Sequence, residues 1–209
     1  MIILALDTCL NACSAAVLDG PRVLAWRSEV MARGHHERLA PLVREVMAEA
    51  DLPFDRLHRI GATVGPGSFT GLRVGVAFAK GMASALGVPA IGVGVLEALA
   101  EGSTGLVASV VDARRDQVYL QVFDGAAALM APDVLSVAAS LAWLEELAAR
   151  RPLTLLGSGA PLLGSAFPTA EVRIPEGCDP RAVARLAAAR PVAPIRPLYL
   201  RAPDARLPA

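Results

Sequence analysis

Eleven consecutive residues in the first half of the chain have the types and spacing of a phosphate-binding turn. They are Gly65-Pro66-Gly67-Ser68-Phe69-Thr70-Gly71-Leu72-Arg73-Val74-Gly75. An apolar run that predicts a strand precedes them (Ile60 to Val64), and a second apolar run that predicts a helix follows them (Leu72 to Leu86). A strand, a tight glycine turn and a helix N-terminus together point backbone N–H groups at an anion. Phosphate binding is therefore the first chemistry to test.

The spacing of this turn fits neither common phosphate motif. A dinucleotide fingerprint needs Gly-x-Gly-x-x-Gly, but Thr70 stands where the third glycine is required, and Gly71 follows one residue late. A Walker loop ends in Gly-Lys-Ser/Thr, whereas the single lysine of the chain is Lys80. The glycines therefore predict a special backbone shape instead of a phosphate cradle.

The sequence also lacks complete motifs for a metal site and for a catalytic serine. His36-Glu37 begins a His-Glu-x-x-His motif, but Ala40 occupies the second ligand position, and Leu39 stands four residues after His35. Gly157-Ser158-Gly159 is too short for the Gly-x-Ser-x-Gly elbow of serine hydrolases. It indicates a strand-to-helix turn or a relic of a nucleotide-base loop.

Composition and charge indicate a soluble globular protein. Of the 209 residues, 54% are hydrophobic, and Lys+Arg and Asp+Glu are equal at 20 each, so no global field favours nucleic acid or an acidic membrane. The N-terminus meets Asp7 too early for a signal peptide, and no apolar run reaches a membrane-spanning length. Cys9, Cys13 and Cys178 form no Cys-x-x-Cys and are expected to be reduced thiols. We expect a cytoplasmic protein without membrane contact.

The predicted elements follow one order in the first half of the chain. Three strands (Ile2 to Leu10, Cys13 to Leu18, Arg22 to Val30) should form an antiparallel meander. Apolar residues then recur at helical spacing from Leu39 to Ala50, with Pro41 in the first turn or at a kink. The strand before the glycine turn, the helix after it, a strand (Val88 to Val93) and a short helix (Val95 to Glu101) complete the order.

The second half repeats this order more loosely. Its predicted elements are strands at Leu106 to Val111, Gln117 to Phe123 and Met130 to Leu135, a helix at Ser136 to Arg150, a strand at Leu153 to Leu156, and a helix from Pro180 to Arg190 that Asp179 caps. A proline-punctuated extended tail follows. The order predicts an internal duplication with subdomains at 1–103 and 104–209.

The duplicated order of three strands followed by alternating helices and strands resembles the actin-like, ribonuclease-H-like superfamily. Within it, five segments resemble the TsaB (YeaZ) family, the dimerisation subunits of the bacterial machinery that makes threonylcarbamoyladenosine next to the tRNA anticodon. They are Leu6-Asp7-Thr8, Gly34-His35-His36-Glu37, the signature turn (Gly65, Pro66, Gly67, Ser68, Phe69, Thr70, Gly71) with its continuation to Gly75, Asp112-Ala113-Arg114-Arg115, and Pro197-Leu198-Tyr199-Leu200-Arg201. The resemblance implies an α/β fold of two tandem ribonuclease-H-like (actin-like ATPase) subdomains, each a mixed sheet with flanking helices.

The resemblance also implies a non-catalytic role. Actin-like ATPases hold phosphates with glycine-bearing hairpins that carry a carboxylate, but the hairpins at Asp7 and Asp112 contain no glycine. TsaD-like catalytic subunits carry a His-x-x-x-His metal pair that this chain does not keep at His35 and His36. We expect Asp7 and Asp112 to bond to turn amides, no catalytic residue, no metal, and no cofactor except ATP or ADP at an interface shared with partners.

The implied partners are a TsaD-like catalytic subunit, a TsaE-like ATPase that joins through the complex, and a second copy when the chain is alone. The predicted interface residues, on the first two helices, are His35, His36, Leu39, Leu42, Thr70, Gly71, Arg73, Gly75, Ala79 and Ala83. For the small residues the alternative is packing on the chain's own sheet, and for Arg73 it is exposure to solvent. Arg196, Arg201 and Arg206 are too few to predict direct tRNA contact, so tRNA should be engaged only indirectly. The alternative function is an actin-like nucleotide-dependent enzyme, such as a small kinase or ATPase, or a peptidase.

Overall fold

The computed structural model describes residues 1–149 and 151–201, which form two mixed sheets flanked by helices. This arrangement confirms the predicted α/β class. The elements in chain order are β1 (Ile2–Asp7), β2 (Ala12–Asp19), β3 (Arg22–Val30), α1 (His35–Glu49), a 3₁₀ turn (Phe54–Arg56), β4 (Arg59–Thr63), α2 (Phe69–Leu86), β5 (Ala90–Val93), α3 (Val95–Ala100), β6 (Leu106–Arg114), β7 (Gln117–Asp124), β8 (Ala127–Ala128), β9 (Asp133–Ser136), α4 (Val137–Ala148), β10 (Leu153–Leu156), α5 (Ala160–Gly164), β11 (Glu171–Arg173) and α6 (Pro180–Ala189).

The two sheets share one strand order. The first runs β3-β2-β1-β4-β5, with β1, β2 and β3 antiparallel and β1, β4 and β5 parallel. In the second, β6 and β7 take the places of β1 and β2, β8 and β9 both pair with β7, and β10 and β11 run parallel to β6. β1 is apolar from Ile2 to Leu6 and buried on both faces, as expected for a central strand covered by helices on each side.

Helices α1 and α2 cover one face of the first sheet. Leu39, Leu42 and Val46 of α1 and Val76 of α2 enter one buried cluster with β1 and β2. The apolar side chains of α1 recur at the predicted spacing, so burial of that face holds the helix on the sheet. Pro41 lies in the second turn of α1, not the first, and it is exposed to solvent.

A helix from the second half of the chain covers the opposite face of the first sheet. Helix α6 packs on β1, β2 and β4, and α3 packs on β6 and β7 of the second sheet. Val183 and Ala187 of α6 share a buried cluster with Ile3 and Ala5 of β1. The division into 1–103 and 104–209 therefore stays a prediction, since α6 lies on the sheet of the first subdomain.

No helix in the described ranges 1–149 and 151–201 is long and apolar enough to cross a bilayer.

Candidate functional site

The signature turn is held against the end of β1. The Ser68 N–H donates to the Cys9 carbonyl (2.8 Å), and the Val95 N–H donates to the Gly65 carbonyl (2.8 Å). Gly65 has a φ of +102°, which a residue with a side chain rarely adopts. Ser68 caps α2 because its side chain accepts a hydrogen bond from the Gly71 N–H (3.2 Å). The turn thus fixes where α2 begins relative to β1.

The glycines of this turn admit the chain's own backbone. A Cβ on Gly71 would lie 1.9 Å from the Thr8 carbonyl oxygen, and one on Gly67 would lie 2.3 Å from the Cys9 carbonyl oxygen. A Cβ on Gly75 would meet Thr8 Oγ1 at 2.6 Å. The Thr8 hydroxyl donates to the Gly71 carbonyl at 2.7 Å, which closes the contact. The special backbone shape inferred from the spacing is therefore a close approach of α2 to β1.

The predicted interface residues divide into two groups. Three are exposed, namely His36, Thr70 and Arg73. Seven are buried in the chain itself, namely His35, Leu39, Leu42, Gly71, Gly75, Ala79 and Ala83. The alternative of packing on the chain's own sheet accounts for the four small residues of α2, because this face of the helix lies against Thr8 and the core. Leu39 and Leu42 of α1 lie in the same core cluster. A part for these seven residues in a partner interface stays a prediction.

The exposed start of α2 carries an aromatic cluster of Phe69, Arg73 and Tyr199. The Arg73 guanidinium stacks 3.8 Å from the centre of the Phe69 ring, and the Phe69 and Tyr199 ring centres are 5.7 Å apart. Arg73 Nε also donates to the Tyr199 hydroxyl at 3.3 Å. Phe69 and Tyr199 nevertheless remain 50% and 49% exposed. Arg73 is therefore pre-oriented on an apolar surface and is not a freely solvated side chain.

A second row of small residues follows Arg73 along the exposed side of α2. Ala77, Gly81 and Ala85 recur every four residues and are all exposed. Nothing lies within 4 Å of where a Cβ on Gly81 would stand. The neighbouring helix α1 presents an exposed row of its own, which consists of His36, Ala40, Arg44 and Ala48. These two rows and the aromatic cluster together are named the α1–α2 surface below.

Arg38 fixes α1 on the first sheet. Its guanidinium donates to both carboxylate oxygens of Glu29 on β3 (2.5 and 2.6 Å) and to both of Glu45 two turns further along α1 (2.7 Å each). These hydrogen bonds hold the pKa of each carboxyl below its usual range. The network joins the edge strand to the helix that carries half of the α1–α2 surface.

Asp7 lies fully buried at the end of β1. It accepts hydrogen bonds from the Thr63 hydroxyl (2.7 Å), the Cys9 N–H (3.0 Å) and the Cys178 N–H (2.9 Å). The predicted bonding of Asp7 to turn amides is confirmed. Burial raises the pKa of Asp7 above its usual value, although these three donors favour the ionised form and partly offset the effect. Asp7 thus ties β1, β4 and the segment before α6 together.

Asp112 occupies the matching place in the second sheet. It accepts from the Arg114 N–H (2.7 Å), as predicted for the counterpart of Asp7, and it pairs with the Arg114 guanidinium (3.2 Å). Arg114, Arg115 and Asp116 all have φ values near +60°, so the hairpin turns without glycine. The Asp112 N–H donates to Ser158 Oγ (3.2 Å) in the turn between β10 and α5, which is where a strand-to-helix turn was predicted.

A cleft of about 320 Å³ separates the two hairpins. Its wall includes Leu10 and Asn11 from the first hairpin, Asp112 and Arg114 from the second, and Glu176. In both hairpins side chains stand where a glycine would let the backbone approach a phosphate, and the lining of the cleft includes two acids, Asp112 and Glu176. This volume lies at the lower end of the range for small-molecule sites, and the lining disfavours a polyphosphate.

The three cysteines are buried thiols. Burial raises the pKa of Cys9 and of Cys178, and burial together with the Asp7 charge raises the pKa of Cys13 to about 12. At neutral pH they remain protonated, and a protonated thiol is a poor nucleophile and a poor metal ligand.

The family model described as "TsaD: tRNA N6-adenosine threonylcarbamoyltransferase" matches residues 28–152. The protein named tRNA threonylcarbamoyladenosine biosynthesis protein TsaB of Bacillus subtilis is 35% identical over 75% of this chain and 71% of its own length. The chain belongs to the TsaB (YeaZ) family. An uncharacterised protein of Mycobacterium leprae is 36% identical over 98% of this chain, but the match spans only 56% of the length of that relative.

Solved structures agree with this assignment. A Pseudomonas aeruginosa structure described as an uncharacterised protein with similarity to peptidase YeaZ superimposes with a TM-score of 0.76 at 28% identity, and covers 96% of this chain and 99% of its own. The activator of the 2-hydroxyisocaproyl-CoA dehydratase of Clostridium difficile has a TM-score of 0.54 at 10% identity, covering 90% of this chain and 94% of its own. That likeness concerns the fold alone and places this TsaB family member among the actin-like ATPase folds.

The tail of this TsaB family member joins the two halves. The Leu198 N–H donates to the Val64 carbonyl (2.7 Å) beside the signature turn. Arg201 donates to the Ala113 carbonyl (2.8 Å) and to the Gln117 side chain, so its guanidinium binds the second hairpin. Arg196 is exposed, whereas Arg206 lies outside the described residues. Tyr199 was not among the predicted site residues, and the Pro-Leu-Tyr-Leu-Arg segment is the sequence signal that contains it.

Proposed function

We propose that this chain is a non-catalytic scaffold subunit of tRNA threonylcarbamoyladenosine biosynthesis. It pairs with a TsaD-like catalytic partner, and a TsaE-like ATPase joins the assembly. The partner transfers the threonylcarbamoyl group to the tRNA adenosine next to the anticodon in the cytoplasm. The family membership and the names of the relatives support the process. The α1–α2 surface supports the role within it.

The aromatic cluster is the observation that carries this proposal. Phe69 and Tyr199 expose apolar rings beside a charged Arg73 that is already stacked and hydrogen-bonded. Aromatic and arginine side chains dominate the energetics of protein interfaces, and a side chain that is ordered before binding loses less entropy when it binds. The cluster therefore has the composition of an interface anchor.

The small residues beside the cluster suit a helical partner. Ala77, Gly81 and Ala85 form an exposed row of small residues on α2, next to the exposed Lys80. On α1 the small residues Ala40 and Ala48 alternate with the larger His36 and Arg44. Helices that present small residues can approach at the short end of the usual interaxial range of about 8–10 Å. Two helices of a partner with the same fold would complete a four-helix interface. A second copy of this chain would fit the same surface when the partner is absent.

The chemistry of the cleft supports the non-catalytic part of the proposal. The hairpins carry Leu10 and Arg114 where phosphate-binding hairpins need a bare backbone. The pKa values of Cys9 and Cys178 are raised, and Ser158 Oγ accepts a hydrogen bond from the Asp112 N–H. These groups are poorly arranged for nucleophilic catalysis.

The second candidate is an actin-like nucleotide-dependent enzyme. The position of the 320 Å³ cleft between the two hairpins supports it, whereas the lining of that cleft speaks against it. Such an enzyme would bind ATP and magnesium and turn the nucleotide over without a partner. Peptidase activity, which the description of one similar structure mentions, would require a nucleophile that the buried thiols do not supply.

Reconstitution of tRNA modification discriminates these functions. We expect purified chain alone, with tRNA, the threonylcarbamoyl donor, ATP and magnesium, to form no threonylcarbamoyladenosine and to release no phosphate. Addition of the TsaD-like and TsaE-like proteins of the same organism should give product, measured by liquid chromatography and mass spectrometry of tRNA nucleosides. Omission of this chain should abolish that product. Product or ATP turnover by the chain alone would instead identify an enzyme, and full activity without it would remove the scaffold role.

A further inference from the structure

Strand β3 forms one edge of the first sheet. It has nine residues, whereas β5, β8, β9 and β11, the other strands at sheet edges in the described ranges 1–149 and 151–201, have two to four. The opposite edge strand of the same sheet, β5, is partly covered, because the Arg190 guanidinium donates to the Gly92 carbonyl. A long exposed edge is a template for another strand, and proteins usually shorten or cover such edges. The length of β3 therefore calls for an explanation.

The pairing of β3 with β2 determines which of its backbone groups point away from the sheet. The Met31 N–H donates to the Asn11 carbonyl (2.9 Å), so the odd-numbered residues in the second half of β3 direct their backbone groups toward β2. The N–H and C=O groups of Trp26, Ser28 and Val30 point outward instead. All three residues are exposed. The edge thus offers three residues that can bond to a further strand.

The charged side chains of β3 are bound to α1 and do not guard this edge. Arg27 Nε donates to Glu49 of α1 (3.1 Å). Glu29 accepts two hydrogen bonds from Arg38 of α1 (2.5 and 2.6 Å). Charged side chains protect an edge when they project across it, but these two lie over the face of the sheet that α1 covers.

The other face of the edge carries exposed apolar side chains. Side chains alternate along a strand, so Trp26, Ser28 and Val30 lie on the face opposite to the two charged residues. Trp26 is 43% exposed and Val30 is 71% exposed. The Arg181 guanidinium of α6 lies 4.1 Å from the centre of the Trp26 ring, which holds the ring in place at the edge.

Charge selects one register for pairing of this edge with a second copy. Two copies related by a twofold axis pair their strands antiparallel, and each contact occurs twice. With Ser28 opposite its own copy, Arg27 lies opposite Glu29 of the second copy, and Trp26 lies opposite Val30 of the second copy. Registers centred on Arg27 or on Glu29 would place like charges opposite each other, which is destabilising. The register centred on Ser28 joins opposite charges on one face and apolar side chains on the other.

We propose that two copies of this chain pair through β3 in the register centred on Ser28, so that their two five-stranded sheets form one continuous sheet. This contact is separate from the self-association through the α1–α2 surface. The residues of α1 that bond to β3 lie on a different side of that helix from its exposed row of His36, Ala40, Arg44 and Ala48. Pairing through β3 leaves the α1–α2 surface free, and the proposal does not depend on the scaffold function.

Disulfide formation between copies tests the register. Opposite Cα atoms in a hydrogen-bonded antiparallel pair are about 5.5 Å apart, which a disulfide can span. Ser28→Cys should therefore give a covalent dimer with oxidised glutathione, measured by non-reducing gel electrophoresis. The native cysteines are buried, so the wild type should stay monomeric on the gel.

Val30→Cys is the matched control for this cross-link. It lies on the same face of β3 and is also exposed, but its own copy would be about 13 Å away along the paired strands. We expect little covalent dimer from Val30→Cys. Equal cross-linking of Ser28→Cys and Val30→Cys, or none in either, would overturn the proposal.

Sedimentation of the isolated chain measures the association itself. Gly81→Leu serves as the background, because leucine there obstructs contact through the α1–α2 surface, and we expect a monomer–dimer equilibrium across a dilution series. Ser28→Pro removes an outward N–H and no bond to β2, and it should raise the dimer dissociation constant about tenfold or more, because the two symmetric hydrogen bonds at Ser28 are lost. Ser28→Ala keeps the N–H and should dimerise as before, with each fold checked by circular dichroism. A chain that stays monomeric throughout, or a dimer that folded Ser28→Pro leaves unchanged, would overturn the proposal, whereas failure of the scaffold function would alter neither result.

Discussion

Gly71→Ala is expected to lower the free energy of unfolding by about 3 kcal/mol, which corresponds to a fall in Tm of about 6–12 °C for a chain of this size. The added Cβ would lie 1.9 Å from the Thr8 carbonyl oxygen. A backbone atom cannot rotate away as a side chain can, so α2 has to move off β1. That movement also breaks the hydrogen bond from the Thr8 hydroxyl to the Gly71 carbonyl. Thermal unfolding followed by circular dichroism measures the loss.

Gly81→Ala is the matched control for this change. It lies in the same helix, and nothing stands within 4 Å of its Cβ position. Alanine is the better helix former, so Gly81→Ala should raise the free energy of unfolding by about 0.5–1 kcal/mol. Equal unfolding temperatures for Gly71→Ala and Gly81→Ala would contradict the close contact between α2 and the end of β1.

Asp7→Ala is expected to cost about 3 kcal/mol of unfolding free energy, because it leaves three buried donors without their acceptor. The Thr63 hydroxyl can still bond to the Cys9 sulfur at 3.1 Å, but the Cys9 and Cys178 amides have no such alternative. Asp7→Asn keeps one carbonyl oxygen and should lose less than Asp7→Ala. Chemical denaturation of the three proteins at neutral pH measures both differences, and an Asp7→Ala protein as stable as wild type would contradict the assigned role.

The pH dependence of stability gives an independent check on Asp7. Burial raises the pKa of Asp7 in the folded chain above its value in the unfolded chain. At a pH between these two values, Asp7 therefore binds a proton more tightly in the folded state than in the unfolded state. This contribution is fully present below the unfolded pKa and is lost as the pH rises through the folded pKa. Glu29 and Glu45 have lowered pKa values and contribute stability that is lost as the pH falls. The contribution of Asp7 is isolated by subtracting the free energy of unfolding of Asp7→Asn from that of the wild type. This difference should fall as the pH increases.

The sequence predicted the regular elements well because their signals are local. The antiparallel meander, the amphipathic α1 and the helix after the signature turn follow from apolar spacing and turn residues within about ten positions. The short elements α5 and β11 were missed, since five and three residues carry too little periodicity. The packing of α6 on the first sheet was also missed. The apolar pattern of residues 180–189 predicts a helix with a buried face, but it does not indicate which sheet that face covers.

The candidate surface could be predicted only in part. Small residues at four-residue spacing indicate close approach, but they do not say what approaches. In α2 one such row, from Gly71 to Ala83, lies on Thr8 and the core, while the other, from Ala77 to Ala85, faces outward. The aromatic cluster joins Phe69 to Tyr199 across more than a hundred residues of chain, and no spacing rule connects them. A bulky substitution at Gly75 would meet Thr8, so it tests folding and cannot test the partner surface.

The affinity of this chain for its TsaD-like partner, measured by isothermal titration calorimetry with Gly81→Leu, tests the scaffold role most directly. Gly81 is exposed and a Cβ at this position meets no atom within 4 Å, so the fold should remain as stable as wild type. It would hold another helix away from α2, and binding should weaken about thirtyfold or more, as for loss of an interface hot spot. Gly81→Ala should bind like wild type. A Gly81→Leu protein that is folded and binds the partner with wild-type affinity would contradict pairing through the α1–α2 surface.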